Sequence, residues 1–300
     1  MPNPRFLRTA ERWMNKEIPE IHPKAQPKVS PISISHSSFS IDDILKGKTF
    51  YSNEQDNGKY IGVPVALQQA LVYAGAEGIV ASMPYLVAGK AAADKKNYLW
   101  KEWFTALSEE NIGIDKSGIF VKSGKPVVIT VHGGGILKSD RIRQAYNEGL
   151  TGQNAAKYTN EEFNNLLKGV LQNGESIQIY TIEDIKKGNI PNPFGRYAVA
   201  LDFETAKATN SGYHKKKGFM ENPLVLARVG TIEHLENYFD KANDSDGNVR
   251  NTHRLSEIDY NQQQGRLLYL VNYCDGLDGG NCLDYNGRFV GVAPEARAKK

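Results

Sequence analysis

Apolar positions along this chain recur in two periods. One is the three-to-four spacing of a helix face; the other is the alternating or continuous run of a strand. Pro64–Ala74 reads as a helix, with Pro64 suited to its first turn. Residues 78–83 (GIVASM) read as a short buried strand, and Pro84 opens the next helix, although Ile79, Val80, Met83, Leu86 and Val87 also fit a helical period. Over 96–109 the stripe of Trp100, Trp103, Phe104 and Leu107 predicts a helix. Lys125–Val131 (KPVVITV) is the strongest strand pattern, β-branched and nearly continuous, as in a strand covered on both faces. A helix is expected from Ser139 and Asp140 to Glu148. Thr159–Glu162 (TNEE) is a capping box opening a helix with Phe163, Leu166, Leu167, Val170 and Leu171 on one face. Glu175–Tyr180, Arg196–Phe203 and Leu224–Val229 read as strands, with a capped helical turn at Thr181–Lys187. A helix carrying Leu235, Tyr238, Phe239 and Ala242 follows Gly230 and Thr231. Arg266–Cys274 and Arg288–Val292 read as two strands joined by an Asp/Gly loop.

Residues 1–60 follow a different pattern. Phe6, Leu7, Ala10, Trp13 and Met14 lie at helical spacing, which predicts a short amphipathic helix. Pro19, Pro23, Pro27 and Pro31, followed by the Ser-rich ISISHSSFS, block a helix and predict an extended arm, with a short helix near Ile41–Leu45. The organisation expected is an arm over 1–60 and a single α/β domain over 61–300. The fold class is α/β: a mixed, largely parallel sheet with flanking helices, a C-terminal β-hairpin and the extended N-terminal arm.

Composition narrows this little. The 300 residues are 40% hydrophobic and 24% charged, with 37 basic and 34 acidic side chains giving +3. Disorder and low complexity are excluded, and so near-even a balance does not point to a nucleic-acid binder. No apolar stretch reaches the ~18–20 residues of a membrane span, and no signal core interrupts the charged N-terminus, so a soluble, cytoplasmic protein is expected. Cys274 and Cys282 read as free thiols.

Three stretches carry candidate chemistry. The first is His132-Gly133-Gly134-Gly135, where a buried strand runs into three glycines before a helix. Backbone amides in such a loop make an anion site. The HGGG string resembles the oxyanion-hole loop of lipases and esterases of the α/β-hydrolase fold, which implies amides that hold a developing oxyanion. The G-x-S-x-G elbow of that family is absent, so no triad is assigned. A dinucleotide fingerprint and a Walker A loop are absent as well.

The second stretch is Asp202-Phe203-Glu204-Thr205, closing a strand. Two carboxylates two residues apart on a strand point the same way and can share a divalent cation. ALDFETA resembles the first acidic motif of the DnaQ-like 3′–5′ exonucleases, which implies a two-metal site. The bland alternative is that both residues flank the turn after a core strand. The third stretch, His214-Lys215-Lys216-Lys217 between Gly212 and Gly218, reads either as a mobile anion-gripping loop or as a solvated charge run. The Asp/Asn clusters at 243–247 and 275–281 read as turns.

Three functions follow, in order. The first is an enzyme, a hydrolase or group-transfer catalyst for a small anionic substrate. His132 would be its acid/base, the Gly133–Gly135 amides and Lys215 its anion ligands, and Asp202, Glu204 and His214 further catalytic groups, with a divalent cation as the cofactor they suggest. The alternative is a non-catalytic structural or self-assembling homo-oligomer using its arm. The third is a metal-dependent nuclease. Convergence of His132, Asp202, Glu204 and His214 on one cleft is the observation that separates the first from the others.

Overall fold

The run Lys125–His132 forms a strand at the centre of the largest sheet, and neighbouring residues enter two separate cores. Val128 packs in one core with Leu268 and Leu270. Val127, Ile129 and Val131 pack in the other with Leu267 and Tyr269. Alternation thus buries both faces of the strand, which is why its sequence is almost continuously apolar.

A computed structural model describes residues 39–56, 59–272, 276–280 and 283–294. The chain order begins with α1 (Ile41–Leu45), β1 (Lys48–Ser52), β2 (Gln55–Asp56), β3 (Lys59–Tyr60), α2 (Gly62–Ala74), β4 (Ile79–Val80), α3 (Met83–Ala92) and α4 (Tyr98–Lys101). It continues through β5 (Phe104–Asp115), β6 (Lys125–His132), α5 (Ser139–Glu148), β7 (Ala156–Lys157), α6 (Asn160–Leu167), β8 (Ile179–Thr181) and α7 (Ile182–Lys186). Then come β9 (Tyr197–Asp202), α8 (Phe203–Lys207), β10 (Gly212–Lys215), α9 (Lys216–Met220), α10 (Pro223–Val229) and α11 (Leu235–Ala242). The last elements are β11 (Asn248–Thr252), β12 (Gln264–Val271), β13 (Gly276–Asp278) and β14 (Gly287–Val292).

The main sheet runs β10-β11-β13-β12-β5-β6-β9-β8, with β7 also on β12; β1-β14-β4 form a second sheet and β2-β3 a third. The mixed α/β class holds, but the sheet is not largely parallel. Only β11–β13 and β8–β9 run parallel among the described pairs. Burial on both faces, read as a sign of parallel strands, arises here in an antiparallel sheet with a core on each side. The reversal between β5 and β6 is held by Asp115. Its Oδ1 accepts from Ser117 N, Ser117 Oγ and Gly118 N, and its Oδ2 from Phe120 N and Val121 N. This loop is far too short for the crossover that a parallel pair requires.

The C-terminal hairpin is also different. β12 turns back into β13, pairing Val271 with Gly276. β14 instead lies between β1 and β4 in the second sheet. Residues 96–109 form the short α4 and the start of β5 rather than one helix, because Glu109, Glu110 and Asn111 find buried partners in a central strand. Residues 224–229 are helical, not extended: Asn222 Oδ1 caps Leu224 N and Val225 N, Pro223 starts the helix, and Gly230 ends it at φ 68°. Those start and stop signals stand in the sequence and outweigh the β-branched run.

His36–Lys300 forms one compact unit. Within it β1 pairs with β14, so residues 41–52, expected in the arm, belong to the body. The amphipathic helix, the proline-spaced arm, Cys274 and Cys282 lie outside the described residues. No described helix is long and apolar enough to cross a membrane.

Candidate functional site

The glycine loop turns inward onto the protein's own carboxylate. Ile136 N donates to Glu109 Oε1 and Leu137 N to Glu109 Oε2, both at 2.8 Å. Gly133 N donates to Leu107 O and Lys138 N to Ile136 O. Burial pushes the Glu109 pKa up, and the Leu137, Ile136 and Asn111 donors act against that shift. A Cβ on Gly135 would lie 2.2 Å from Glu109 Oε1, so the glycine permits this close approach. Of the glycine amides expected for an external anion, that of Gly133 is committed internally, as are the Ile136 and Leu137 amides that follow.

His132 is fully buried. Its Nε2 lies 3.0 Å from Ala227 O, an acceptor only, so this nitrogen carries the proton. Its Nδ1 then accepts from Ser108 Oγ at 2.9 Å, while that hydroxyl accepts from Met83 N. Burial lowers the imidazole pKa to about 4, partly offset by the Ala227 carbonyl. The ring is a neutral structural cross-link between β6, β5 and α10, without access to solvent.

The other predicted site residues lie elsewhere. Asp202 pairs with Val127, whereas His132 pairs with Tyr197, so the two sit at opposite ends of the β6–β9 ladder, roughly 17 Å apart along the strand. Asp202 Oδ1 caps α8 by accepting from Thr205 N at 2.7 Å and Thr205 Oγ1 at 2.8 Å. Phe203 already begins that helix, which removes the strand alternation expected to align Glu204 with Asp202. Glu204 is exposed, with Lys207 at 3.9 Å. His214 lies on the edge strand β10, five strand steps from β6 or about 24 Å, and burial lowers its pKa. Lys215 is exposed and donates from Nζ to Asp246 O. The 212–218 stretch forms β10 and the start of α9 rather than a loop. Among the described residues no group of three or more His, Cys, Asp or Glu side chains is placed to hold a metal ion.

A different surface gathers aromatic side chains. Trp103, just ahead of β5, is ringed by side chains from distant parts of the chain. Its ring centroid lies 6.3 Å from that of Tyr51 on β1, 6.2 Å from that of Tyr269 on β12 and 6.2 Å from that of Tyr285. Tyr60 on β3 extends the row, 6.2 Å from Tyr285. Tyr51, Tyr60 and Tyr285 are 44%, 36% and 45% exposed. Arg288 on β14 lies over Tyr51 at 4.7 Å and Trp103 at 5.2 Å, and pairs with Glu102.

The frame beneath is fastened by polar contacts. Arg288 N donates to Thr105 Oγ1, joining the two sheets. Asn272 Nδ2 donates to Lys101 O and Tyr146 OH to Leu283 O. Exposed aromatic rings around a half-buried tryptophan and a stacked arginine have the make-up of protein-binding hot spots. Sequence reasoning placed Trp103 in a helix and read 275–281 as a turn. Individual tyrosines gave no sign of meeting, because they come from four separate stretches.

No family model matches this chain, and no curated protein matches it. A solved structure does, described by the words "Accommodation of massive sequence variation in Nanoarchaeota by the C-type lectin fold". It aligns with a TM-score of 0.60 at 25% identity, over 82% of this chain and 97% of its own. The likeness is to a C-type lectin fold. That architecture is not the α/β-hydrolase sheet implied by HGGG, and it overturns the hydrolase reading together with the anion-binding loop. The geometry gives the reason: His132 is buried and internally paired, the Gly133, Ile136 and Leu137 amides are bonded within the protein, and Asp202, Glu204 and His214 do not meet them.

Proposed function

We propose that this chain is a non-catalytic binding protein that holds a protein partner on the surface built by Tyr51, Tyr60, Trp103, Tyr285 and Arg288. The observation that carries this reading is the continuous row of exposed rings around Trp103. Tyrosine and tryptophan supply large contact area at low entropic cost, and arginine adds a directional charge. The similar C-type lectin fold is described as accommodating massive sequence variation. Carried to this chain, that description makes the exposed tyrosines replaceable positions on a frame that folds without them.

A displayed library randomised at Tyr51, Tyr60 and Tyr285 tests the proposal. Most members are expected to fold with melting temperatures near the parent's, and panning on purified serum albumin is expected to yield binders. Trp103→Ala in those binders should abolish capture. Widespread unfolding of the library, or binders indifferent to Trp103, would defeat the proposal.

A further inference from the structure

The strand β1 ends the second sheet. It pairs with β14 from Lys48↔Gly291 to Ser52↔Gly287, and no described strand pairs with its other edge. The direction of its free groups follows from β14. Val290 O accepts from Ala81 N, and Arg288 N donates to Thr105 Oγ1, so both residues turn their backbone groups away from β1. Their cross-strand neighbours are Thr49 and Tyr51. In an antiparallel ladder such residues form the non-hydrogen-bonded pairs, which leaves the N–H and C=O of Thr49 and Tyr51 directed at the open edge.

Natural sheets protect such an edge with proline, a bulge or several charges. The segment KTFYS has none of these beyond Lys48, whose ammonium lies 5.4 Å from the centroids of Phe50 and Tyr73. The neighbouring helix α2 adds exposed apolar side chains: Leu71, Tyr73, and Val72 at 71% exposure. Phe50 and Tyr73 touch at 5.2 Å, so the apolar area runs from the strand onto the helix.

We infer that β1 is a self-association edge, pairing antiparallel with β1 of a second copy of this chain about a two-fold axis through Phe50. That register sets Thr49 opposite Tyr51 of the second copy, the two residues whose backbone groups face away from β14, and forms four new ladder hydrogen bonds. Lys48 falls opposite Ser52, so no like charges oppose each other; a parallel pairing would put lysine beside lysine. A two-fold arrangement satisfies both edges with one contact. The strand is short and the apolar area modest, which makes the dimer reversible and dependent on concentration. This inference concerns the backbone edge of β1; it shares Tyr51 with the ring surface around Trp103 but uses that residue's main chain, not its ring.

The full chain is expected to sediment as a concentration-dependent mixture of the 33.3 kDa monomer and its dimer. Thr49→Pro removes one outward N–H without touching the β14 ladder and should weaken dimerisation at least about tenfold. Amide exchange supplies a readout independent of that variant's folding. The Thr49 and Tyr51 amides should become protected as concentration rises, while Phe50, bonded to β14, stays protected throughout. A chain that remains monomeric at its highest soluble concentration overturns the inference. So does a dimer whose Thr49 and Tyr51 amides exchange freely, or protection of those amides in a monomer, which would assign the edge to another segment of the same chain.

Discussion

The glycine loop after β6 and the ring surface around Trp103 make opposite use of their polar and aromatic groups. At the loop the carboxylate and the imidazole are already spent: Glu109 holds the Ile136 and Leu137 amides, and His132 bridges Ser108 and Ala227. At the surface Tyr51 and Tyr285 meet Trp103 and Tyr60 meets Tyr285, yet the three tyrosines keep a third or more of their area in solvent. Groups internally satisfied and buried contribute to stability, whereas groups held in place yet exposed remain available to a partner. A motif such as HGGG cannot report which condition applies, because the partners that satisfy it lie 24 or more residues away in the chain.

Breaking the buried side of this contrast should give the largest effect. Glu109→Ala leaves two buried amides without an acceptor and is expected to cost about 3 kcal/mol, read as a shifted urea midpoint at unchanged slope. A loss under about 0.5 kcal/mol would mean that the loop amides are free after all, and would reopen the anion site.

The next effect is in pH. His132 binds its proton near pH 4 in the folded protein but near its ordinary value of 6.5 when unfolded. The unfolded state therefore takes up more protons between those values, so stability falls as pH drops from about 6.5 towards 4, by roughly 3 kcal/mol at the limit. The raised pKa of Glu109 acts in the other direction, since its protonated form is favoured by folding. Comparing the parent with His132→Gln isolates the histidine contribution: the variant should lose that part of the slope, and an unchanged slope would show that the ring titrates normally.

Smaller again is Asp202→Ala, which removes a helix cap and should cost about 1 kcal/mol without any change in divalent-cation binding by calorimetry. Tyr285→Ala, at the surface, should shift stability by about 0.5 kcal/mol or less. A tyrosine substitution as costly as the loss of Glu109 would erase the distinction between the two regions.

Much of the local structure was legible before any tertiary contact was known. The capping box at Thr159–Glu162, the helix over 64–74 and the strands at 125–132 and 197–202 depend on periodicity and on side chains a few residues apart, and they form as expected. Asp202 as a turn residue was likewise readable, as the plainer of its two readings. The sequence by itself thus determined a mixed α/β chain with two-faced central strands. Only the tertiary structure decided that the sheet is mostly antiparallel, since burial on both faces looks the same in either orientation. It also decided that 104–115 is a strand, because Glu109 and Glu110 find their partners across the fold: loop amides for one, Arg228 and Arg266 for the other. And it alone brought Tyr51, Trp103, Tyr285 and Arg288 together, because a surface assembled from three separate stretches leaves no periodicity in any one of them.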